Sequence, residues 1–593
     1  MEMRRFAALL AVSCALLFSC DKTTPEKKPD PKPNPDPTPQ VDEINGTKIQ
    51  EGMTAVGLIK NASTGKGIPG IPVTDGYTYV VTDANGVYQM AANRFTRKIY
   101  MSVPSEYKIP LDPSTHMPLF YSAGNYDKSV VNRFDYTLEP LAAPEDNFTL
   151  IMIGDPQCQT ESEATRYKTE TIPDMQKTLN TFNPQGKYLN PYGVTLGDVT
   201  FDSFDMWKTM KNSMSNIQLQ SGGYLPIFQC IGNHDHNSLA QNSDYEATGA
   251  FVETFGPTDY SFNRGKAHII VMDNIMVTNV KSNSSPNRYT WEYNGGFTKA
   301  QYEWLQKDLS YVENKADKLV FLCLHIPFRG GSSSGGSNVN KEGAYYKEIL
   351  TLLRDFKQAH IMIGHTHYPQ NWVHTAYRCK GGNPIYEHVH GAACGGWWSS
   401  NSNVNGAPNG YSLYEIEGNT VKNWVPKGTG KDIDHQLRVY DGNQIYSGSK
   451  GYQYCWYTNK LNGNTINIGG SSAIEAPFST ALKNCFVAEI WDDDDSNWTV
   501  ELLRGNEKVG SFQRLPNGTC CNIAITSFWF NEKGKNTDSW TSKTASHYWY
   551  FKPESENPGA ETGWTVKATQ KIPGSTAVNE YYCTGFTTDY SDF

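Results

Sequence analysis

Between residues 147 and 400, short apolar runs alternate with longer stretches of helical periodicity. The runs are FTLIMIG (148–154), YGVTLG (192–197), PIFQCIG (226–232), HIIVMD (268–273), KLVFLCLH (318–325) and AHIMIGH (359–365). Apolar runs this short read as strands. Helical stretches fall around 161–182, 202–217, 299–313 and 343–357. In the third, Thr298 and Gln301 form a capping box ahead of Tyr302, Leu305 and Leu309. Strands alternating with helices predict a layered α/β domain.

The pattern differs on both sides of this region. From 47 to about 140, and again after 405, short β runs are separated by Gly, Asn and Ser turns, as at Asp83-Ala84-Asn85-Gly86. Residues 21–43 carry proline at nearly every second position, an extended spacer with no core-forming residues. Before them, Arg4 and Arg5 precede an apolar run from Phe6 to Phe18, too short to span a membrane comfortably. Leu17-Phe18-Ser19-Cys20 resembles a bacterial lipobox, with Phe18 bulkier than usual, and implies lipidation at Cys20. A plain secretory signal followed by a chance cysteine is the alternative. The expected organisation is a signal peptide (1–19), a lipidated Cys and Pro-rich linker (20–46), an N-terminal β-sandwich (47–143), a catalytic α/β domain (144–404) and a C-terminal β-rich domain (405–593). The N-terminal module resembles carboxypeptidase-regulatory-like or Ig-like modules of exported proteins. The expected location is the bacterial cell envelope, lipid-anchored (outer membrane, periplasmic or surface-exposed), with a soluble body and membrane contact only through the lipid.

Composition narrows the function classes. The 593 residues hold 52 Lys+Arg against 61 Asp+Glu, a formal charge of −9, which argues against a nucleic-acid-binding face. The chain has 35 Tyr, 25 Phe, 14 Trp, 51 Gly and 32 Pro, a mixture that favours strands and turns over helical bundles. Ten cysteines follow Cys20. Cys230 and Cys323 sit in apolar strands and are expected to be buried thiols. Export would permit Cys379 to pair with Cys394, or Cys455, Cys485, Cys520, Cys521 and Cys583 to pair among themselves.

Five short motifs stand in order at the ends of predicted strands. They are Gly154-Asp155-Pro156-Gln157, Gly197-Asp198, Gly232-Asn233-His234-Asp235, His325 and Gly364-His365-Thr366-His367. Ligands of α/β sheets assemble at the C-terminal ends of strands, and metal-ligand residue types recur at these ends here. The ordered set resembles the calcineurin-like metallophosphoesterase family, whose pattern is D-x-H, GD, GNH[D/E], H and GHxH. The last four elements match in full; in the first, Gln157 stands where His is usual, and a neutral amide is generally a weaker ligand than imidazole.

The resemblance implies a four-layer αββα sandwich and two divalent metal ions, such as Mn, Fe or Zn. It makes Asp198 the bridging ligand, with Asp155, Gln157 and His367 completing one metal site and Asn233, His325 and His365 the other. It places His234 at the leaving-group oxygen as a proton donor. The implied reaction is hydrolysis of a phosphate mono- or diester by a hydroxide bridging the two metals, on a phosphorylated small molecule or polymer. Asp235 is read as a catalytic neighbour that orients His234 or a ligand, or as a turn cap.

Further residues are candidates for substrate contact. Arg329 lies four residues after His325, beside a Gly/Ser-rich loop at 330–337, and suits an anionic group. Trp397 and Trp398 either wall the cleft or pack between domains. His390 ranks first among His374, His388 and His390 as an accessory site residue. His236 is read as an exposed loop residue, His268 and His360 as structural, and the run Asp492–Asp495 as a solvated loop rather than a calcium site. A rival reading is a surface lipoprotein that captures glycans or phosphorylated polymers on a phosphatase-like scaffold without turnover.

Overall fold

The computed structural model describes residues 42–588, except 241–242, 279, 282–288, 291, 330–337, 397, 404, 448–459, 462–463, 466–481, 495, 517–519, 522–543 and 546. Cys20, Trp397, the 330–337 loop, Cys455 and Asp495 therefore lie outside the described residues.

Two mixed sheets form the centre. Their strands are β1 (Asn147–Ile153), β2 (Pro191–Leu196), β3 (Ile227–Cys230), β4 (Tyr260–Arg264), β5 (Ala267–Val271), β6 (Leu319–Cys323), β7 (Gln358–Ile363), β8 (Gln370–Arg378), β9 (Pro384–Val389), β10 (Gly410–Glu417) and β11 (Thr420–Gly428). One sheet has the order β3-β2-β1-β10-β11 and the other β4-β5-β6-β7-β9-β8. Strands β1, β2 and β3 run parallel, as do β5, β6, β7 and β9; the remaining pairs are antiparallel.

The two-residue period of each strand sorts its side chains into layers. In β1, Phe148, Leu150 and Met152 meet the other sheet, joining Phe321, Cys323 and Met362 in one core. Ile151 and Ile153 point the other way, into a cluster with Met175, Leu179, Trp207 and Met210 from helices α1 (Ile172–Phe182) and α2 (Trp207–Met214). The second sheet repeats this arrangement. Ile269 and Val271 face inward, while Ile270, Leu322 and Ile361 pack on α3 (Lys299–Ser310) and α4 (Tyr346–Leu353). The result is helix, sheet, sheet, helix. At the start of α3, Thr298 and Gln301 form the expected capping box, the Thr298 amide donating to Gln301 Oε1 at 2.9 Å and the Gln301 amide to Thr298 Oγ1 at 3.3 Å, a motif worth about 1 kcal/mol.

Strands β10 and β11 correct the expected domain border at 404/405. Their residues 410–428 lie beyond it, yet β10 pairs with β1 from Asn147 to Met152. The chain thus returns to complete the first sheet before it enters the C-terminal β region.

β-rich regions flank the sandwich. The N-terminal one shares the central core through Ile59, Val73, Tyr88 and Met101. It also covers the free edge of β4, where the Asn263 amide donates to the Val103 carbonyl at 2.9 Å. The C-terminal region holds two four-stranded sheets around Val439, Phe486, Trp498 and Val566. Asp492, Asp493 and Asp494 are buried rather than solvated. Asp492 accepts from Asn371 Nδ2 at 2.9 Å and Trp424 Nε1 at 2.8 Å, and Asp493 pairs with Arg514 at 2.6 Å. Hydrogen-bond donors from β8 and β11 meet Asp492, which explains how an acidic run comes to lie in an interior. Among the described residues, no helix is long and apolar enough to cross a membrane.

Candidate metal centre

The five motifs leave five neighbouring strand ends: Asp155 follows β1, Asp198 follows β2, Asn233 follows β3, His325 follows β6 and His365 follows β7. The chain must turn sharply at each exit to bring its side chains together. Asp155, Gln157, Asp198, His365 and His367 all have positive φ, from 39° to 71°. Such backbone is uncommon for residues other than glycine and gathers at functional sites. Gly197 has φ +87°, and a Cβ there would lie 2.5 Å from His325 Nδ1. A Cβ on Gly232 would lie 2.0 Å from the Asp198 amide nitrogen. The turns therefore touch each other directly, and no side chain fits between them.

Two donor groups result. Atoms of Asp198, His325 and His365 lie within 4.8 Å of one another, as do atoms of Asp155, Asp198 and His367; Asp198 belongs to both. Asn233 completes the first group, its Oδ1 lying 3.0 Å from His325 Nε2 and 3.0 Å from His365 Nδ1. His325 Nε2 is 3.3 Å from Asp198 Oδ1 and 3.2 Å from His365 Nδ1. In the second group, His367 Nε2 is 3.4 Å from Asp155 Oδ1, and Gln157 Nε2 donates to Asp198 Oδ2 at 2.9 Å.

The donor set fits divalent cations. His325 Nδ1 donates to the Leu196 carbonyl at 2.7 Å, which leaves Nε2 as the lone-pair atom pointing at the other donors. Carboxylate, amide and imidazole donors then face one another. Burial alone would lower the His325 pKa, but Asp198 and Asp155 outweigh it and raise it to about 9. Burial and the neighbouring His325 lower His365 to about 3. Burial opposes ionisation of Asp198, yet His325 and His234 hold it well below the usual carboxylate range.

His234 stands apart from both groups. Its amide donates to Asp198 Oδ1 at 2.9 Å, and its ring Nδ1 lies 3.1 Å from Asp202 Oδ1. The ring stacks on Phe201 with centroids 3.9 Å apart. Burial lowers the His234 pKa, but Asp198 and Asp202 outweigh it and raise it. Asp235 does not orient His234. Its carboxylate accepts from the amides of Gly232, Val199 and Thr200, so it joins the loop after β2 to the loop after β3. Asp202 takes the orienting position instead.

Other expectations are corrected. His236 is fully buried, with Nδ1 2.8 Å from the Gly232 carbonyl and Nε2 3.1 Å from Asp273 Oδ2. His390 is a core residue, donating to the Ile363 carbonyl through Nδ1 at 2.9 Å, with Nε2 3.0 Å from the Tyr414 hydroxyl. The Arg329 side chain is exposed and lies over the Trp372 ring at 5.3 Å. Trp398 is buried; its ring stacks on His367 with centroids 5.5 Å apart, and its Nε1 donates to the Ser402 carbonyl. His268 bonds Asp308, and His360 bonds His388, both inside the core. Cys230 and Cys323 are buried thiols. Cys379 and Cys394 do not pair: both are free, buried thiols, and Cys379 Sγ faces the Leu353 carbonyl.

Sequence reasoning missed Asp202, Phe201 and Tyr293. Asp202 and Phe201 follow the Gly197-Asp198 motif closely, and that proximity was the available signal. Tyr293, whose ring meets His365 edge-on at 6.5 Å, had none.

Comparison with known proteins places this geometry in a family. The chain matches the model for calcineurin-like phosphoesterase over residues 148–369. It also matches the models for the N terminal of calcineurin-like phosphoesterase over 53–141 and the C terminal over 387–573. The chain belongs to the calcineurin-like phosphoesterases and is a hydrolase acting on phosphate esters. No curated protein matches it. Among solved structures it is similar to a purple acid phosphatase from yellow lupin (Lupinus luteus) seeds, at 12% identity and TM-score 0.31, covering 60% of this chain and 69% of that one. It is also similar to the NAD nucleotidase of Haemophilus influenzae, at 10% identity and TM-score 0.25, covering 48% of this chain and 50% of that one.

Proposed function

We propose that the protein hydrolyses phosphate mono- or diesters by in-line displacement by water, with two divalent cations held by Asp155, Gln157, Asp198, Asn233, His325, His365 and His367. The observation that carries this reading is the membership of Asp198 in both donor groups. When bound, two such ions supply polarisation of a phosphoryl oxygen and a water ionised at neutral pH. The chain's own residues do the rest. His234, whose proton affinity Asp198 and Asp202 raise, donates a proton to the departing ester oxygen. Phe201 and Asp202 fix the ring that makes this transfer. The buried ligand loops exclude bulk water from one side of the site.

The test combines metal analysis with turnover. The purified chain is expected to hold close to two metal equivalents and to hydrolyse an aryl phosphate or a bis-aryl phosphodiester, with Asp198→Ala and Asn233→Ala abolishing both properties. Turnover that survives both substitutions overturns the reading. Little bound metal, with chelator-insensitive capture of a phosphorylated polymer, favours a binding protein instead. The ratio of the two substrates' rates decides between monoester and diester.

The leader, the Cys20 motif and the proline-rich spacer support tethering at the cell envelope through a lipid on Cys20, with residues 47–143 as an Ig-like module. Cys20→Ser is expected to move the protein from the membrane fraction to the soluble one; retention overturns the tether.

A further inference from the structure

Strands β5 and β6 run parallel, in register from Ala267 and Leu319 to Val271 and Cys323. One further backbone bond follows, from the Met272 amide to the Cys323 carbonyl at 3.1 Å. Beyond it the side chain of Asn274 takes over. Its Oδ1 accepts from the amides of Ile326 at 2.9 Å and His325 at 3.2 Å, and its Nδ2 donates to the Ile326 carbonyl at 2.6 Å. A carboxamide offers the same donor and acceptor as a peptide group, so one side chain prolongs the ladder past the end of the backbone pairing. Two N–H groups meet one end of it and a carbonyl meets the other, which fixes which end is oxygen. Asn274 is fully buried. Its backbone is held from two directions: the Gly296 amide donates to the Asn274 carbonyl at 2.9 Å, and Gln301 Nε2, from the cap of α3, donates to the Asp273 carbonyl at 2.6 Å.

We propose that Asn274 is a positioning residue of the metal centre, setting the peptide on which His325 stands and, through it, the side formed by Asn233, His325 and His365. The inference rests on the reading of those three residues as cation ligands. At His325 the amide donates to Asn274, the carbonyl accepts from the Gly364 amide at 3.2 Å, and Nδ1 donates to the Leu196 carbonyl at 2.7 Å, so Nε2 alone is left for a cation. Gly364 directly precedes His365, so the two imidazoles share one backbone link. A buried amide that loses its acceptor costs the full desolvation of that group. Removing Asn274 Oδ1 strands two amides at once, one of them on the ligand residue itself. The chain finds new partners by shifting, and the imidazole shifts with it. The next residues are held separately. Glu387 accepts from the amides of Phe328 at 2.7 Å and Arg329 at 3.2 Å, and Asn338 Nδ2 donates to the Pro327 carbonyl at 2.8 Å. The displacement is therefore concentrated at the His325 end.

The experiment titrates the full chain, stripped of metal, with cobalt(II) against a competing chelator and records the visible absorption of the bound ion. The unaltered chain is expected to take up two equivalents. Asn274→Leu keeps the side-chain volume and none of the hydrogen bonds. It is expected to weaken one of the two binding constants by about 10- to 100-fold, to change the other far less, and to shift the absorption bands of the bound cobalt. A role confined to folding lowers the thermal midpoint of the metal-free chain and leaves the constants and spectrum of the folded chain unchanged; that result overturns the inference. Equal weakening of both constants overturns it as well. No cobalt uptake by the unaltered chain overturns the reading of the ligands and this inference with it, whereas two equivalents with equal constants in both chains overturn the inference alone. If Asn274→Leu fails to fold, Asn274→Ser decides by the same measurements. Its hydroxyl is too short to reach both amides, and the space it opens admits a water that keeps them solvated. A single weakened constant is again the expected result, and unchanged constants overturn the role.

Discussion

The imidazole Nδ1 of His234 lies 3.1 Å from Asp202 Oδ1, so the ring proposed as proton donor is oriented by a carboxylate from the neighbouring loop. Asp202 itself has positive φ, 53°, at the turn beyond Asp198. One short loop thus delivers the shared ligand, the stacking ring of Phe201 and the orienting carboxylate. Asp202→Asn is expected to lower kcat by about 10- to 100-fold with little change in KM, since an orienting partner acts through the residue it holds. His234→Ala is expected to cost about 10²–10⁴-fold. The double variant should be no worse than His234→Ala alone. Losses that multiply would show that Asp202 acts independently of His234.

Trp398 serves His367 from behind. With its ring stacked on the imidazole and its Nε1 anchored to Ser402, it limits the rotamers open to His367. Trp398→Ala is expected to lower metal affinity by about 10- to 100-fold and to destabilise the fold by about 3–5 kcal/mol. Trp398→Phe should keep the stacking and most of the metal. Metal content and thermal midpoint, measured on both variants, separate the two effects. Unchanged metal content in Trp398→Ala overturns the support role.

Much of this site was legible in the sequence because its residues are tied to strand ends. Doubly buried strands such as β2 and β6 read as unbroken apolar runs, and the Gly-containing motifs fall just beyond them. The five motifs therefore give the residues of both candidate donor groups. Histidines were read poorly because an isolated histidine carries no information about its partners. His390 becomes a core residue through the Ile363 carbonyl and Tyr414, and His236 becomes one through Asp273. The border at 405 failed for a related reason. Nothing local in residues 410–428 says that β10 will pair with β1, more than 250 residues earlier. The Asp492 run misled because acidic residues are normally solvated, and only the arrival of Asn371, Trp424 and Gln570 donors reverses that.

Gly232 tests whether the ligand turns really touch. A Cβ at this position would stand 2.0 Å from the Asp198 amide nitrogen and 2.2 Å from Asp198 Oδ1. Backbone cannot yield as a flexible side chain does, so Gly232→Ala must push the loop after β2 away from the loop after β3. Activity and metal content are both expected to fall close to background, while far-ultraviolet circular dichroism stays near that of the unaltered chain. Gly418 makes a control, since it has positive φ, +61°, and a Cβ there meets nothing within 4 Å. Gly418→Asn should leave activity unchanged. Equal activity of Gly232→Ala and the unaltered chain overturns the contact.

The buried pair His236–Asp273 sets a pH limit on stability. Burial opposes the charge on His236, but Asp273 outweighs it and raises its pKa to about 9, against roughly 6.5 in an unfolded chain. A histidine whose folded pKa is raised adds stability that is complete below the unfolded value and is lost as pH climbs through the folded one. The window is therefore about pH 6.5 to 9, and the shift corresponds to at most about 3 kcal/mol. Two nearby carboxylates titrate lower. Burial and Asp273 raise Asp244 to about 6 and Asp259 to about 7, so the stability they add in their protonated forms is lost as pH rises through those values and is spent by about pH 8. Above that pH, the change within this cluster belongs to His236. The thermal midpoint of the metal-loaded chain is expected to exceed that of His236→Gln by a clear margin at pH 7, and the gap should narrow steadily towards pH 10. Comparing the two chains at each pH cancels every group they share. A gap that stays constant from pH 7 to 10 would mean that His236 is neutral in the fold and that Asp273 accepts an ordinary hydrogen bond from it.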